Sequence, residues 1–267
     1  MVVDGVFFEE FEQFALCCVE NFSDELKESL RQNLSRICYG ANQASRERNM
    51  YKYAATISAF WERYSSKADL TKKGMLGELL SHVIILEMFP RFEVVSPFFN
   101  LEERNIKKGF DILLYEKNDK SVWITEVKSG ELHAKKDQSA TTKDLLVIAR
   151  DDLKKRLAEQ QLNHWQNAIH AARIAINERS DYKDVVIDIL ESEGDLVVGK
   201  KAVSQDNNAF LASALFSDVS SKVAKSALLD FVSDLNGKSL FKSFFVLSLH
   251  KGTLSKVEDF LKLEAGV

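Results

Sequence analysis

Proline, long apolar stretches and a positive net charge are all scarce in this chain of 267 residues. Its two prolines are Pro90 and Pro97, and no apolar run reaches the roughly 20 residues that a membrane-spanning helix needs. The formal net charge is −4, with a pI of about 5.8. This balance excludes a global basic field that would draw the chain to nucleic acid or to a membrane surface. Binding to a polyanion therefore requires a local basic patch or a partner.

Cysteine is also rare, and the three cysteines Cys17, Cys18 and Cys38 have no metal-binding spacing. We therefore expect reduced thiols that pack as small hydrophobic side chains in a cytoplasmic protein. The opening residues carry acids among apolar side chains and no basic segment, so no signal peptide is expected. The chain also lacks a nucleophile elbow, a Walker-type glycine loop and a dinucleotide-binding glycine motif, which argues against those three enzyme classes.

The chain does have enough apolar sequence for a large core, since 45% of its residues are hydrophobic and 28% are charged. Periodicity predicts helices through residues 8–89, with Ser23 and Thr71 as N-caps and Pro90 as a helix terminator. Beyond them, β-branched and aromatic residues predict strands. The predicted strands lie at residues 91–99, 109–115, 121–128, 183–190, 195–200 and within 239–251. Further helices are predicted at residues 143–180, 209–235 and 253–267.

This layout predicts an α/β fold in which helices flank a mixed central sheet. We expect an N-terminal helical region over residues 1–70, which packs on the core or docks a partner. A second domain is expected over residues 71–267. The sequence contains no internal repeat, low-complexity tract or linker that would mark further units.

The segment WITEVK places an acid and a base on one side of a short apolar strand. Side chains alternate along a strand, so Glu126 and Lys128 share a face. The preceding strand predicts a hairpin with its turn at residues 118–119, and this register sets Asp111 directly opposite Glu126. Opposed side chains have Cβ atoms about 5 Å apart, and two carboxylates at that distance repel. A divalent cation such as Mg²⁺ between them resolves the repulsion, whereas a longer turn would shift the register.

A third carboxylate, Glu78, lies in the most apolar predicted helix, and His82 follows one turn later on the same face. Gly74 and Gly77 would let this helix approach a sheet closely. A charged group in such a helix needs a partner or a function. The ordinary interpretations are that Glu78 complements the helix dipole and that His82 is a packed core histidine.

The strand residues have ordinary interpretations as well. Glu126 and Lys128 fit a solvated ion pair at a sheet edge, and Asp111 fits an acid near a turn. The order of the whole set favours a shared role instead. An acid in a buried helix is followed by G-F-D opening a strand, then by a hairpin, then by E-V-K closing the next strand.

That order resembles the PD-(D/E)XK nuclease superfamily over about residues 74–170. The resemblance implies a restriction-endonuclease-like core that hydrolyses phosphodiester bonds with Mg²⁺, for which Mn²⁺ substitutes. Phe110 stands where the name of the superfamily has proline. The matching positions are Glu78, Asp111, Glu126, Val127 and Lys128.

The resemblance also implies a role for each matching residue. Asp111 and Glu126 are metal ligands, and the carbonyl of Val127 is a third ligand. Glu78 binds the metal through water or holds a second ion. Lys128 activates or positions the attacking water, while His82 lies behind the ligands or has no role.

Within the superfamily, the segments GELLSHVIILEMF, GFDILLYE and WITEVKSG resemble HamA, the nuclease subunit of Hachiman-type anti-phage systems. This narrower resemblance implies DNA as the substrate, a helicase or ATPase as the protein partner, and a cytoplasmic bacterial setting without a membrane. Two alternatives stay open. One is a restriction-type endonuclease acting alone or as a dimer, and the other is an inactive assembly module that kept the nuclease fold.

Basic and amide residues that follow the motif are candidates for contact with the substrate. Asp151 and Asp152 interrupt the basic ones, so a solvated helix face is the alternative interpretation. The basic candidates are Lys135, Lys136, Arg150, Lys154, Lys155 and Arg156. The amide candidates are Gln160, Gln161 and Asn163.

Overall fold

The computed structural model describes residues 3–99, 109–252 and 254–267. The strands in these ranges are β1 (Val6–Glu10), β2 (Phe14–Val19), β3 (Phe92–Val94), β4 (Ile112–Glu116), β5 (Ser121–Glu131), β6 (Asn208–Phe216) and β7 (Ser243–Lys251). They form one sheet in the order β1-β2-β7-β6-β5-β4-β3. The four strands from β2 to β5 in that order run parallel, and the outer pairings are antiparallel. The sheet is therefore mixed, as predicted.

Helices cover both faces of this sheet. In the described ranges they are α1 (Asp24–Tyr39), α2 (Ala41–Ala44), α3 (Tyr53–Ser65), α4 (Asp69–Met88), α5 (Gln138–Ala158), α6 (Leu162–Ala175), α7 (Lys183–Val198), α8 (Lys225–Lys238) and α9 (Ser255–Glu264). Short 3₁₀ turns lie at Asn49–Tyr51 and Ser204–Asp206. The predicted α/β class with flanking helices is confirmed.

A separate hydrophobic core lies on each face of the sheet. On one face, α1, α3, α4 and α9 bury side chains such as Phe60 together with Val127 of β5. On the other face, α5 to α8 bury side chains such as Leu153 together with Ile124 of β5. Cys17, Cys18 and Cys38 are buried and unbridged, as expected. Across the three described ranges, every helix falls short of the length and apolar character that a membrane crossing requires.

The helix boundaries follow the sequence signals only in part. Ser23 caps α1 as predicted, since its Oγ accepts a hydrogen bond from the Leu26 backbone N–H at 3.2 Å. The prediction of Thr71 as a cap is wrong, because α4 begins at Asp69 with Ala68 as its N-cap. That helix ends at Met88, two residues before Pro90.

The prediction of helix from residue 8 onward is wrong at its start, because β1 and β2 are strands. All six residues of β2 are buried, since β2 lies between β1 and β7 with a core on each face. Periodicity cannot distinguish such a short, fully apolar run from a buried helix. Residues 6–19 thus contribute two strands to the same sheet as the later strands. The division into domains at residue 70 stays a prediction.

Two further segments have a different secondary structure from the one predicted. Residues 183–190 and 195–200 were expected to be strands, yet residues 183–198 form the single helix α7, which buries Val186, Leu190 and Val197 at helical spacing. Residues 209–216 were expected to be helical, yet they form β6, whose nine residues are all buried. A central parallel strand is covered on both faces and shows no alternation, which explains the error.

The close approach of α4 to the sheet depends on Gly77. A Cβ at this position would lie 1.8 Å from the Oγ of Ser129 and 3.0 Å from the Cβ of Ala214. The predicted role is therefore confirmed for Gly77. It is wrong for Gly74, where an added Cβ would meet nothing within 4 Å.

We expect Gly77→Ala to lower the free energy of unfolding by about 1–3 kcal/mol, because α4 must move away from β5 and β6. Gly74→Ala makes the same change in the same helix without a clash. It should be neutral or stabilise by about 0.5–1 kcal/mol. Urea unfolding of both variants measures the difference, and equal effects would contradict this account of the helix position.

Candidate active site

The β4–β5 hairpin brings Asp111 and Glu126 together. Its pairing runs from Ile112 opposite Thr125 to Glu116 opposite Ser121, which is the predicted register. The pairing stops one step earlier than expected, so residues 117–120 form the turn. Asp111 immediately precedes β4, and its Oδ2 accepts a hydrogen bond from the Val127 backbone N–H at 2.8 Å. The acid that opens one strand is thus fixed beside Glu126 of the next.

The start of α6 holds the backbone that carries Asp111. A Cβ on Gly109 would lie 2.5 Å from the His164 carbonyl oxygen, so only glycine fits there without movement. The Phe110 ring packs edge-on against Trp165, with 5.2 Å between the ring centroids. Phe110 therefore anchors the segment from the position where the superfamily name has proline.

Glu126 and Lys128 both point towards α5. Ile124 belongs to the core beneath α5, and Val127 belongs to the opposite core, so the even-numbered residues of this part of β5 face α5. Glu126 is only 1% exposed, whereas 26% of the Lys128 side chain is accessible. A solvated pair at a sheet edge is therefore excluded for Glu126, because β5 is flanked by β4 and β6.

Two residues of α5 complete a network of charges around this pair. The Arg156 guanidinium donates to both oxygens of Glu126, at 2.8 Å and 3.3 Å. The Lys128 ammonium lies 2.8 Å from Glu126 and 2.7 Å from Asp152. Asp152 was expected only to interrupt a basic run. Its position one helical turn before Arg156 is the sequence signal that both residues face the same strand.

The electrostatics follow from burial and from the two acids. Burial raises the pKa of Glu126, and the charge of Asp111 raises it further, while Arg156 and Lys128 oppose the shift. Burial lowers the pKa of Lys128, but Glu126 and Asp152 together raise it above its ordinary value. At neutral pH the lysine is therefore a fixed positive charge beside a carboxylate that is costly to ionise.

The chemistry of these donors fits a hard divalent cation. Two carboxylates, one of them buried, adjoin each other, and cations such as Mg²⁺ prefer carboxylate, carbonyl and water oxygens. The Val127 N–H binds Asp111, and a strand residue directs its N–H and C=O to the same side, so the Val127 carbonyl faces this region too. The described ranges contain no cluster of three or more His, Cys, Asp or Glu side chains placed to hold a metal. The candidate ligands that the fold brings together are thus Asp111, Glu126 and one carbonyl.

Glu78 lies on α4, which packs on the other face of the sheet. It is half-buried on α4, next to Gly77, which rests directly on Ser129 of β5. Its participation in the site, through water or a second ion, stays a prediction. His82 is fully buried in the core, and its ring packs edge-on against Phe98 at 5.9 Å, which agrees with a packed histidine.

The other candidates for substrate contact pair with other acids or occupy exposed positions. Arg150 pairs with Asp151 at 2.7 Å and with Asp234 at 3.2 Å, and Lys136 pairs with Asp144 at 2.5 Å. Exposed positions are occupied by Lys135, Lys154, Lys155, Gln160, Gln161 and Asn163. Contact of these residues with a substrate stays a prediction. Arg156 is the member of the set whose side chain the fold brings to Glu126.

In a comparison with protein families, the chain matches the family described as HamA over residues 7–261. The match includes the β4–β5 hairpin, α5 and the N-terminal strands, and so covers nearly the whole chain. No curated protein matches the sequence.

We expect Glu126→Gln to change how stability depends on pH in the presence of EDTA. Burial and Asp111 raise the pKa of Glu126 in the folded chain above the ordinary value of 4.5, so the folded state holds this proton more tightly than the unfolded state does. The resulting stabilisation is complete below the ordinary value and is lost as pH rises through the folded pKa. Urea unfolding at pH values from 4.5 to about 7 should show the parent losing stability, relative to the variant, as the pH rises. Parallel curves for the two proteins would contradict the assignment.

Proposed function

The chain belongs to the HamA family, and from this membership we propose that it is the Mg²⁺-dependent nuclease of a Hachiman-type anti-phage defence system. In this proposal it hydrolyses phosphodiester bonds of DNA and acts with a helicase or ATPase partner. One observation carries the proposal: Asp111, the buried Glu126 and Lys128 converge beneath α5. This constellation is the one that the PD-(D/E)XK resemblance implies.

Phosphodiester hydrolysis needs a nucleophilic water and stabilisation of the negative charge that develops on the phosphate oxygens. A bound Mg²⁺ supplies charge stabilisation and lowers the pKa of a coordinated water. Asp111, Glu126 and the Val127 carbonyl are the groups that would hold it. Glu126 is suited to this task because its burial and the adjacent acid make ionisation costly until a cation compensates the charge.

Lys128 acts on the water and on the phosphate in this proposal. Its ammonium is fixed between two carboxylate oxygens, at 2.8 Å and 2.7 Å, and therefore has a defined direction. A fixed cation next to the ligands orients the attacking water and offsets phosphate charge. Asp152 keeps the ammonium in place and is a positioning residue in this scheme.

The distribution of charge supports a requirement for a partner. The chain is acidic overall, and acids neutralise basic residues near the motif, as in the pairs of Arg150 and Lys136. A phosphate must compete with these acids for the paired cations, and contacts to phosphate dominate affinity for DNA. We infer that the isolated chain binds DNA weakly and that the helicase or ATPase delivers the strand.

We expect Lys128→Ala to reduce DNA cleavage by a factor of about 10²–10⁴, because the variant loses the group that orients the water. The measurement is degradation of plasmid DNA with Mg²⁺ or Mn²⁺, by the purified chain with and without the ATPase co-expressed from a neighbouring gene. Lys201→Ala, at an exposed lysine between α7 and β6, is the matched control and should cleave like the parent.

The outcomes separate the three candidate functions. Equal cleavage by parent and Lys128→Ala, once contaminating nucleases are excluded, would contradict the catalytic assignment. Tight binding to a defined DNA site by the chain alone would favour a restriction-type enzyme. The absence of cleavage under every condition would favour an inactive assembly module.

A further inference from the structure

Helix α5 presents two opposite charges to β5, and each meets its counter-charge. Arg156 pairs with Glu126, Glu126 with Lys128, and Lys128 with Asp152. The four side chains form an alternating row of charges, which we term the α5–β5 charge row. Glu126 is the most buried member of the row, at 1% exposure. Asp152, which ends the row, is half-exposed.

The spacing of the two elements fixes this row. Two residues along a strand span about 6.6 Å, and four residues along a helix span about 6 Å. The step from Glu126 to Lys128 therefore matches the step from Arg156 back to Asp152. Both pairs form at once because β5 and α5 lie side by side, so the row is a property of the fold.

Arg156 covers the oxygens that a cation would need. Its Nη1 donates to Glu126 Oε2 at 2.8 Å and its Nη2 donates to Oε1 at 3.3 Å. The Lys128 ammonium also lies on Oε1, at 2.8 Å. A divalent cation that binds Glu126 must therefore displace part of this ion pair.

Arg156 is also suited to a second partner. About a quarter of its side chain, 24%, is accessible, whereas its carboxylate partner is almost fully enclosed. A guanidinium binds the oxygens of a phosphate through the same paired N–H groups that it uses for a carboxylate. Among the residues that the structure describes, Glu126 is the acid with which Arg156 pairs. A phosphate close to the site would therefore offer Arg156 a second anionic partner.

We propose that Arg156 exchanges partners, leaving Glu126 for a phosphate group of the substrate. This inference rests on the proposed function, since it concerns how the same site takes up its metal and its nucleic acid. Transfer of the guanidinium uncovers the carboxylate, so the anionic substrate raises the affinity of the site for a divalent cation. By thermodynamic linkage, the cation raises the affinity for the substrate by the same factor.

The alternative to partner exchange is that Arg156 serves only as a structural counter-ion for Glu126. A buried carboxylate needs a partner, and loss of that partner destabilises the fold. Under that alternative, removal of Arg156 lowers stability and frees Glu126 for a cation, but it leaves the effect of DNA on cation affinity unchanged. Cation binding with and without DNA therefore distinguishes the two.

The test titrates the full chain with Mn²⁺ and measures free Mn²⁺ by electron paramagnetic resonance. Each titration is run alone and with a short DNA duplex whose linkages are phosphorothioates, which slows cleavage. For the parent we expect the duplex to tighten Mn²⁺ binding by about fivefold or more, the lower end of usual coupling. Arg156→Gln should bind Mn²⁺ more tightly than the parent without DNA, and the duplex should then change its affinity little.

Two further variants control for general effects of the substitution. Arg173→Gln removes an arginine of α6 that pairs with Glu191 of α7 at 2.5 Å, and it should keep the coupling of the parent. Arg156→Lys keeps the charge but loses the paired N–H groups, so its Mn²⁺ affinity without DNA should fall between those of parent and Arg156→Gln. If Arg156→Gln does not fold, as judged by thermal unfolding, Arg156→Lys replaces it in the titration.

Glu126→Gln distinguishes a failure of the partner exchange from a failure of the metal site. If it loses Mn²⁺ binding while Arg156→Gln binds and couples like the parent, partner exchange is wrong and the metal site stands. If Glu126→Gln binds Mn²⁺ like the parent, the metal assignment in the proposed function fails, and the exchange fails with it.

Discussion

Repulsion between two neighbouring carboxylates is the constraint to which the rest of the site responds. The register of the β4–β5 hairpin sets Asp111 beside Glu126, and the sheet leaves Glu126 almost no contact with water. Each nearby group reduces the cost of that placement. The Val127 N–H binds one acid, while Arg156 and Lys128 bind the other. Burial thus makes the site both expensive to ionise and strongly attractive to positive charge.

The parts of this arrangement that depend on neighbouring residues in the sequence could be predicted. Alternation along β5 set Glu126 and Lys128 on one face, and the hairpin turn set the register opposite Asp111. The central strands could not be assigned in the same way. β2 and β6 are covered on both faces by segments that are far away in the sequence, so neither shows the alternation that would separate it from a helix.

The contribution of α5 to the site could be predicted from the sequence only in part. Helical spacing places Asp152 and Arg156 on one face, but their pairing with Lys128 and Glu126 depends on how α5 lies across β5. That placement arises from the packing of residues such as Leu153 in a core shared with α6 to α8. A basic run interrupted by acids therefore looked like a solvated surface, although one of those acids is bound to the lysine of the motif.

The position of β2 has a consequence for the synthesis of the protein. β2 is made before β3 to β6, whereas its inner partner β7 is made after them. The sheet thus closes only after the four strands between them in sequence have been made, and contacts of such wide sequence separation form late and slowly. A chain synthesised only as far as β6 has the β4–β5 hairpin but an incomplete sheet beside it. For an enzyme of the proposed kind, this order of assembly would keep unfinished molecules from damaging the DNA of the cell that makes them.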